Sequence, residues 1–157
     1  MGVEIERKFL VSSDGWRQGV SSSSAFRQGY LSTNASPTVR VRVVDDKQAF
    51  LTLKSKPVGI ARAEFEYEIP VEDGLQLMEL ARPNVIEKRR YLVPHGNHTW
   101  EVDVFEGPHE GLVTAEVELG ALDEAVEIPD WVGKDVSSDD RYANASLSRN
   151  PGVPEER

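Results

Sequence analysis

The chain contains no cysteine. That excludes a disulfide framework, a zinc–thiolate centre and a thiol nucleophile, and it is compatible with a reducing compartment. Long apolar runs are missing as well. No stretch approaches the roughly 18 residues of a membrane span, and no signal-peptide core follows Met1. The expectation is a soluble, cytoplasmic protein with no membrane contact. Basic residues are in deficit, 18 Lys and Arg against 27 Asp and Glu, for a formal net charge of -9. Taken alone, this balance argues against nucleic acid and anionic lipid as partners. Histidine is scarce. His95, His98 and His109 fall in or beside turns without helix or strand spacing, and they are expected to be exposed loop residues.

What the chain has is alternation. In the first segment Val3, Ile5, Phe9 and Val11 share one parity, and Glu4, Glu6 and Lys8 the other. On a β-strand these are opposite faces, with next-but-one neighbours about 7 Å apart. Two like charges in such a row need a divalent cation, a basic neighbouring strand or water between them. The same division recurs along the chain. Ala25 to Leu31 puts Phe26, Gln28 and Tyr30 on one face. Thr38 to Val44 opposes Val39, Val41 and Val43 to Arg40 and Arg42. Ala49 to Lys56 opposes Leu51 and Leu53 to Thr52, Lys54 and Lys56. Ile60 to Val71 sets Phe65, Tyr67 and Ile69 against Arg62, Glu64, Glu66 and Glu68. Val85 to Val93 carries Lys88 and Arg90 on one side, Thr99 to Phe105 carries Glu101 and Asp103, and Leu112 to Leu119 carries Glu116 and Glu118.

The connections read as turns: Ser21–Ser24 as loop, Asn34–Pro37 as turn, Asp45–Gln48 as hairpin loop. The period becomes helical over Glu72 to Ala81, stopped by Pro83. Ser13 or Asp14 can cap a short helical turn at Trp16, and Asp139 or Asp140 a last helix from Arg141 to Ser148. Pro129–Gly133 reads as short helix or loop. Asn150–Arg157 has the composition of a frayed tail. No repeat or linker divides the chain, so one domain over 1–148 with a flexible tail over 149–157 is expected. Trp16, Trp100 and Trp131 are expected to serve packing. The pattern predicts a mainly β, α+β fold of about eight strands with two or three helices, most simply closed as an antiparallel barrel.

Two closures fit the alternation. In one, the apolar parity faces a core and the charged parity faces water. In the other, the charged parity turns inward, with basic strands on one wall of a tunnel and acidic strands on another. Guanidinium and ammonium groups without carboxylate partners match phosphate oxygens, and clustered carboxylates match a hard divalent cation such as Mg²⁺ or Mn²⁺.

The order of the motifs favours the second closure. Glu4-Ile5-Glu6-Arg7-Lys8 resembles the ExExK signature of the CYTH superfamily, the triphosphate tunnel metalloenzymes. It is followed in order by Arg40-x-Arg42, Thr52-Leu53-Lys54, Arg62-x-Glu64-x-Glu66, Lys88-x-Arg90, Glu101-x-Asp103, Glu116-x-Glu118 and Asp140-Arg141-Tyr142-x-Asn144. The resemblance covers residues 1 to about 148. It implies an eight-stranded antiparallel closed barrel with a charged interior and a few flanking helices. The apolar outer face would be covered by those helices or by a second subunit, as in a homodimer. It also implies metal ligation by Glu4, Glu6, Asp103, Glu116 and Glu118, with Mg²⁺ or Mn²⁺ as the ion. Phosphate binding would fall to Lys8, Arg40, Arg42, Lys54, Lys88 and Arg90. Beside that resemblance, Glu64, Glu66 and Glu68 could serve as metal ligands, but are expected rather to pair with neighbouring Arg and Lys and orient them. Lys8 and Tyr30 share the inner parity and would form a proton-transfer pair. The activity implied is hydrolysis of inorganic tripolyphosphate to pyrophosphate and phosphate. Adenylyl cyclase and thiamine triphosphatase use the same motif, and a non-catalytic polyphosphate-binding module is the alternative from another class.

Overall fold

The computed structural model describes residues 2–32 and 36–156; Asn34 and Ala35 of the expected turn lie outside them. The strands are β1 (Gly2–Val11), β2 (Ser22–Ser32), β3 (Thr38–Val44), β4 (Gln48–Lys54), β5 (Ala61–Ile69), β6 (Val85–His95), β7 (His98–Phe105), β8 (Val113–Glu118) and β9 (Val132–Asp135). The helices are α1 (Val71–Ala81) and α2 (Asn144–Arg149). Strands pair in the order β5-β4-β3-β2-β6-β7-β8-β1, and β1 returns to β5. Every pairing is antiparallel, and the return of β1 to β5 closes eight strands into a barrel. β5 takes the first half of β1, and β9 pairs with its last residues.

Register carries the charged parity to one surface all the way round. Glu4 stands opposite Arg62, Glu6 opposite Glu118, Lys8 opposite Glu116, Glu101 opposite Glu116 and Arg90 opposite Asp103. A slip by one residue in any pair would turn that strand's charges outward. The closed ladder therefore fixes the inner face as the polar one.

The outer parity is covered from two sides. Trp16, from a short 3-10 turn at Asp14–Gly19, and Trp131, from the segment before β9, pack with Phe9, Trp100, Val102, Ala115 and Val117. Trp100 meets Phe9 at 5.5 Å and Trp131 edge-on at 5.7 Å between ring centroids. The three tryptophans thus form one packed cluster, and Ser13 caps the 3-10 turn by accepting from Gly15 N. Opposite it, α1 lays Met78 on Val41, Val43 and Ala49. Gly74 permits that approach, because a Cβ there would stand 2.4 Å from that of Ala49. The outer faces of β1 and β5 keep Val3, Phe65 and Tyr67 exposed.

The interior is not charged throughout. Tyr30, Ile86, Phe105 and Leu112 form a second apolar cluster with Val136, Tyr142 and Leu147 of the C-terminal segment. Each such buried side chain contributes about 1.5–3 kcal/mol. The C-terminal segment is thereby anchored into the barrel by hydrophobic burial.

Several local expectations give way to tertiary context. Ser22–Ser24 are strand, not loop: they pair with Leu92, Tyr91 and Arg90, so a neighbour's ladder overrides weak β propensity. β9 is too short for alternation to reveal. The final helix is two pieces, a 3-10 turn at Asp140–Tyr142 capped by Asp139 and then α2, because Ala143 between them is extended. His109 is buried, with Nε2 on the carbonyls of Leu147 and Asn150. His98 is largely buried and pairs with Glu124. Beyond α2, Gly152 N donates to the Pro108 carbonyl and Arg141 to that of Glu155. Among the described residues, no helix is long and apolar enough to cross a membrane.

Candidate active site

The inner parity encloses a cavity of about 250 Å³. Every residue anticipated for the site lines it except Lys88 and Asp103. β1 contributes Glu4, Glu6 and Lys8; β3 contributes Arg40 and Arg42; β8 contributes Glu116 and Glu118. Lys54, Arg90 and Tyr30 come from three further strands, and the C-terminal segment adds Ser137, Asp140 and Asn144.

Carboxylates gather in two trios that share Glu6. Glu4, Glu6 and Glu118 bring oxygens within 4.8 Å of one another, as do Glu6, Glu101 and Glu116. Burial, and then the charges of Glu116 and Glu4, push the Glu6 carboxyl well above the usual carboxylate range, with Lys8 opposing weakly. Glu118 is also raised, by burial and then by Glu4 and Glu64. Burial would raise Glu116, but Lys8, Arg90 and Lys88 outweigh it and hold the group well below that range. Even so, Glu116 Oε1 is buried without a hydrogen-bond donor among the described residues. An all-oxygen donor set with a crowded central carboxylate and an orphaned buried oxygen fits a hard divalent cation.

Asp103 behaves differently. Both of its oxygens are held by Arg90, at 2.8 and 2.9 Å, and Lys88 Nζ lies 2.7 Å away. Neither the Lys88 nor the Asp103 side chain has any exposed surface. Burial pushes the Lys88 ammonium down to about 7 against the pull of Asp103, with Arg90 and Arg42 adding to the fall. Lys88 also donates to Asn144 Oδ1 and lies 5.4 Å from the centre of the Phe105 ring. The two residues are thus brought together behind the cavity wall. Glu101, two positions before Asp103 on the same face, stands in the carboxylate trio instead and also accepts from Arg90. Parity could have found Glu101, since it distinguishes neither residue from the other.

The remaining cations are graded by how well the protein satisfies them. Lys54 reaches Glu4 and Glu64 at 3.2 and 3.3 Å. Arg40 reaches Glu66 at 3.4 Å and Thr52 at 3.1 Å. Glu64 and Glu66 thus pair with basic neighbours, while Glu68 is exposed. Arg62, missing from the sequence-derived set, lies 3.5 Å from Glu4. Arg42 has no carboxylate within salt-bridge distance among the described residues. Its Nε donates to Gln28 Oε1 at 2.9 Å. Its guanidinium and that of Arg90 lie 4.6 and 4.9 Å from the centre of one ring, Phe26. Burial, then the like charges of Arg40 and Arg90, bring Arg42 down to about 9. A guanidinium so placed favours an anion beside it.

Lys8 and Tyr30 both face the cavity, but each is engaged elsewhere. Lys8 Nζ donates to the carbonyl of Tyr142 at 2.9 Å and lies 3.8 Å from Glu116. Tyr30 Oη accepts from Gln28 Nε2 at 3.0 Å.

Comparison with known proteins agrees with this geometry. A family model of the CYTH domain matches residues 2–148. The chain is 45% identical over 152 residues to an inorganic triphosphatase of Acetivibrio thermocellus, covering 96% of both chains. It is 36% identical over 150 residues to an inorganic triphosphatase of Nitrosomonas europaea, covering 92% of this chain and 96% of that one. A crystal structure of an inorganic triphosphatase superposes with a TM-score of 0.70 at 34% identity, over 97% of each chain.

Proposed function

The chain belongs to the CYTH family, and on that footing we propose that it hydrolyses inorganic tripolyphosphate to pyrophosphate and phosphate. The observation that carries this reading is the meeting, in one cavity, of carboxylate trios around Glu6 with a guanidinium, Arg42, that lacks a carboxylate partner among the described residues. A chelated polyphosphate answers both demands. Tyr30 is the one aromatic residue in the lining among the described residues, and the apolar lining is confined to small or aliphatic side chains such as Pro57, Ile60, Val136 and Ala145. That lining offers no stacking platform for a nucleobase or thiazolium, which favours the inorganic anion over ATP and thiamine triphosphate.

Glu4, Glu6, Glu101, Glu116 and Glu118 would hold Mg²⁺ or Mn²⁺, with Asp103 retained by Lys88 and Arg90 as framework. When bound, such an ion polarises a phosphoryl oxygen and makes water a better nucleophile. Arg42 binds a phosphate oxygen without giving up an ion pair. Arg40, Lys54 and Arg62 exchange part of their carboxylate contacts for phosphate. Lys8, held by the Tyr142 carbonyl, places its ammonium beside Glu116 and counters charge on the departing oxygens. Little covalent chemistry falls to the protein in phosphoryl transfer, so fixed cations of this kind supply most of the stabilisation.

Phosphate release from tripolyphosphate, ATP and thiamine triphosphate with Mg²⁺ or Mn²⁺, with cyclic AMP followed in parallel, tests the reading. Tripolyphosphate should be the best substrate; cyclic AMP formation exceeding its hydrolysis would overturn it. Glu116→Gln and Glu118→Gln should lose turnover while keeping measurable affinity for the anion. Unchanged turnover in both variants would remove the metal assignment.

A further inference from the structure

Gln28 is a fully buried amide on the inner face of β2, between Arg42 and Tyr30. Its orientation is dictated by chemistry. A guanidinium only donates, so the atom facing Arg42 Nε must be the amide oxygen, at 2.9 Å. The other end is then the NH₂ group, which also only donates, and it reaches Tyr30 Oη at 3.0 Å. The phenol oxygen is thereby used as an acceptor toward Gln28. Its own proton cannot return along that bond and must be given elsewhere, and Tyr30 lines the cavity.

We infer that Gln28 is a positioning residue that reads the guanidinium of Arg42 and fixes the Tyr30 hydroxyl as a hydrogen-bond donor into the cavity, toward a phosphate oxygen of the substrate. This rests on the triphosphate reading of the cavity. The relay needs an amide and not merely a polar residue. Glutamate has the same shape, but it would neutralise Arg42 and accept the phenolic proton, turning both groups away from the anion. A thioether at this position would fill the space and hold neither group. Tyr30 then acts by donation to substrate, under the control of Arg42 through Gln28, and not as half of a proton-transfer pair with Lys8.

The test compares Gln28→Glu and Gln28→Met, each alone and combined with Tyr30→Phe, in tripolyphosphate hydrolysis with Mg²⁺. Gln28→Glu should lower kcat/KM more than Gln28→Met, both by about tenfold or more, although its new ion pair with Arg42 keeps the melting temperature at or above that of Gln28→Met. A merely structural amide predicts the reverse kinetic order. The Gln28→Met loss should shrink when Tyr30 is already Phe; strictly multiplicative losses would overturn the relay. A second readout needs no turnover. With tyrosine ¹³C-labelled at Cζ, the Tyr30 resonance should move on tripolyphosphate addition to the wild type and stay still in Gln28→Glu. Failure of the wild type to hydrolyse tripolyphosphate would count against the proposed activity. The relay would then stand or fall on that resonance, and a Tyr30 signal unmoved in the wild type would overturn it.

Discussion

Two walls of the barrel use the same residue types to opposite ends. On β6 and β7, Lys88, Arg90 and Asp103 satisfy one another at 2.7–2.9 Å, and the ion pair of Lys88 with Asp103 has no exposed surface. On β1, β8 and β3, Glu6 crowds against Glu116 and Glu4, Glu116 keeps an oxygen without a donor, and Arg42 has a glutamine and an aromatic face where a carboxylate would serve. The closed network joins β6 to β7 through side chains inside the barrel. The open one leaves carboxylates crowded around Glu6 and a guanidinium, Arg42, without a carboxylate partner among the described residues. Charge content does not separate the two walls; the degree to which the fold completes each pair does.

The largest expected effect breaks the closed wall. Asp103→Asn leaves Lys88 buried without its carboxylate partner and Arg90 with Glu101 as its remaining close one, and should cost about 3–5 kcal/mol, read as a fall in denaturation midpoint. A midpoint equal to that of the wild type would show that the network is not structural. The open wall should respond the other way. Glu6→Gln removes a like charge from both trios, so the metal-free protein should melt no lower than the wild type, while turnover of tripolyphosphate falls by about a hundredfold or more. A large loss of stability with turnover intact would erase the distinction between the walls. Between them sits Phe26, whose ring lies against a guanidinium from each side. Phe26→Leu should raise KM about three- to tenfold, consistent with cation–π contacts worth about 0.5–2 kcal/mol, and Phe26→Trp should restore much of it. Equal KM values for Leu and Trp would remove that role.

The smallest effect lies outside the barrel, as a reference for ordinary surface pairing. Burial raises Asp135, but hydrogen bonds from Ser137 and the charge of Arg7 outweigh it and bring the carboxyl below its usual value. A depressed folded-state pKa stabilises above the unfolded value, near 3.9, and that stabilisation is lost as pH falls through the folded value. Asp135→Asn should therefore be slightly less stable than the wild type at neutral pH, with the gap closing in acid. A gap that widens below pH 4 would contradict the assignment.

Much of this protein is legible in one dimension because a strand has period two. The parity of Glu4, Glu6 and Lys8, repeated at Arg40 and Arg42, at Lys88 and Arg90 and at Glu116 and Glu118, marks the strands and the face they share. The helical period of α1 is equally plain. Features held by neighbours were not legible. Ser22–Ser24 are strand because β6 pairs with them, and β9 exists because β1 offers it an edge. His109 is buried by the C-terminal segment that folds over it. Glu101 and Asp103 share a face two residues apart, and no local property separates the one that joins the carboxylate trio from the one paired with Lys88 and Arg90.

The sequence by itself determined which side chains share a face, and through the ExExK-type order of motifs, which family they form. Only closure of β1 onto β5 decided that this face points inward, because a strand's alternation is the same whether its polar side meets water or a cavity. Cross-strand register then decided which charges meet. Asp103 is consumed by Lys88 and Arg90, Glu6 is left among its own kind, and Gln28 is lodged between Arg42 and Tyr30. Electrostatic pairing depends on separations of a few ångström between residues far apart in the chain, and those separations exist only once the barrel has closed.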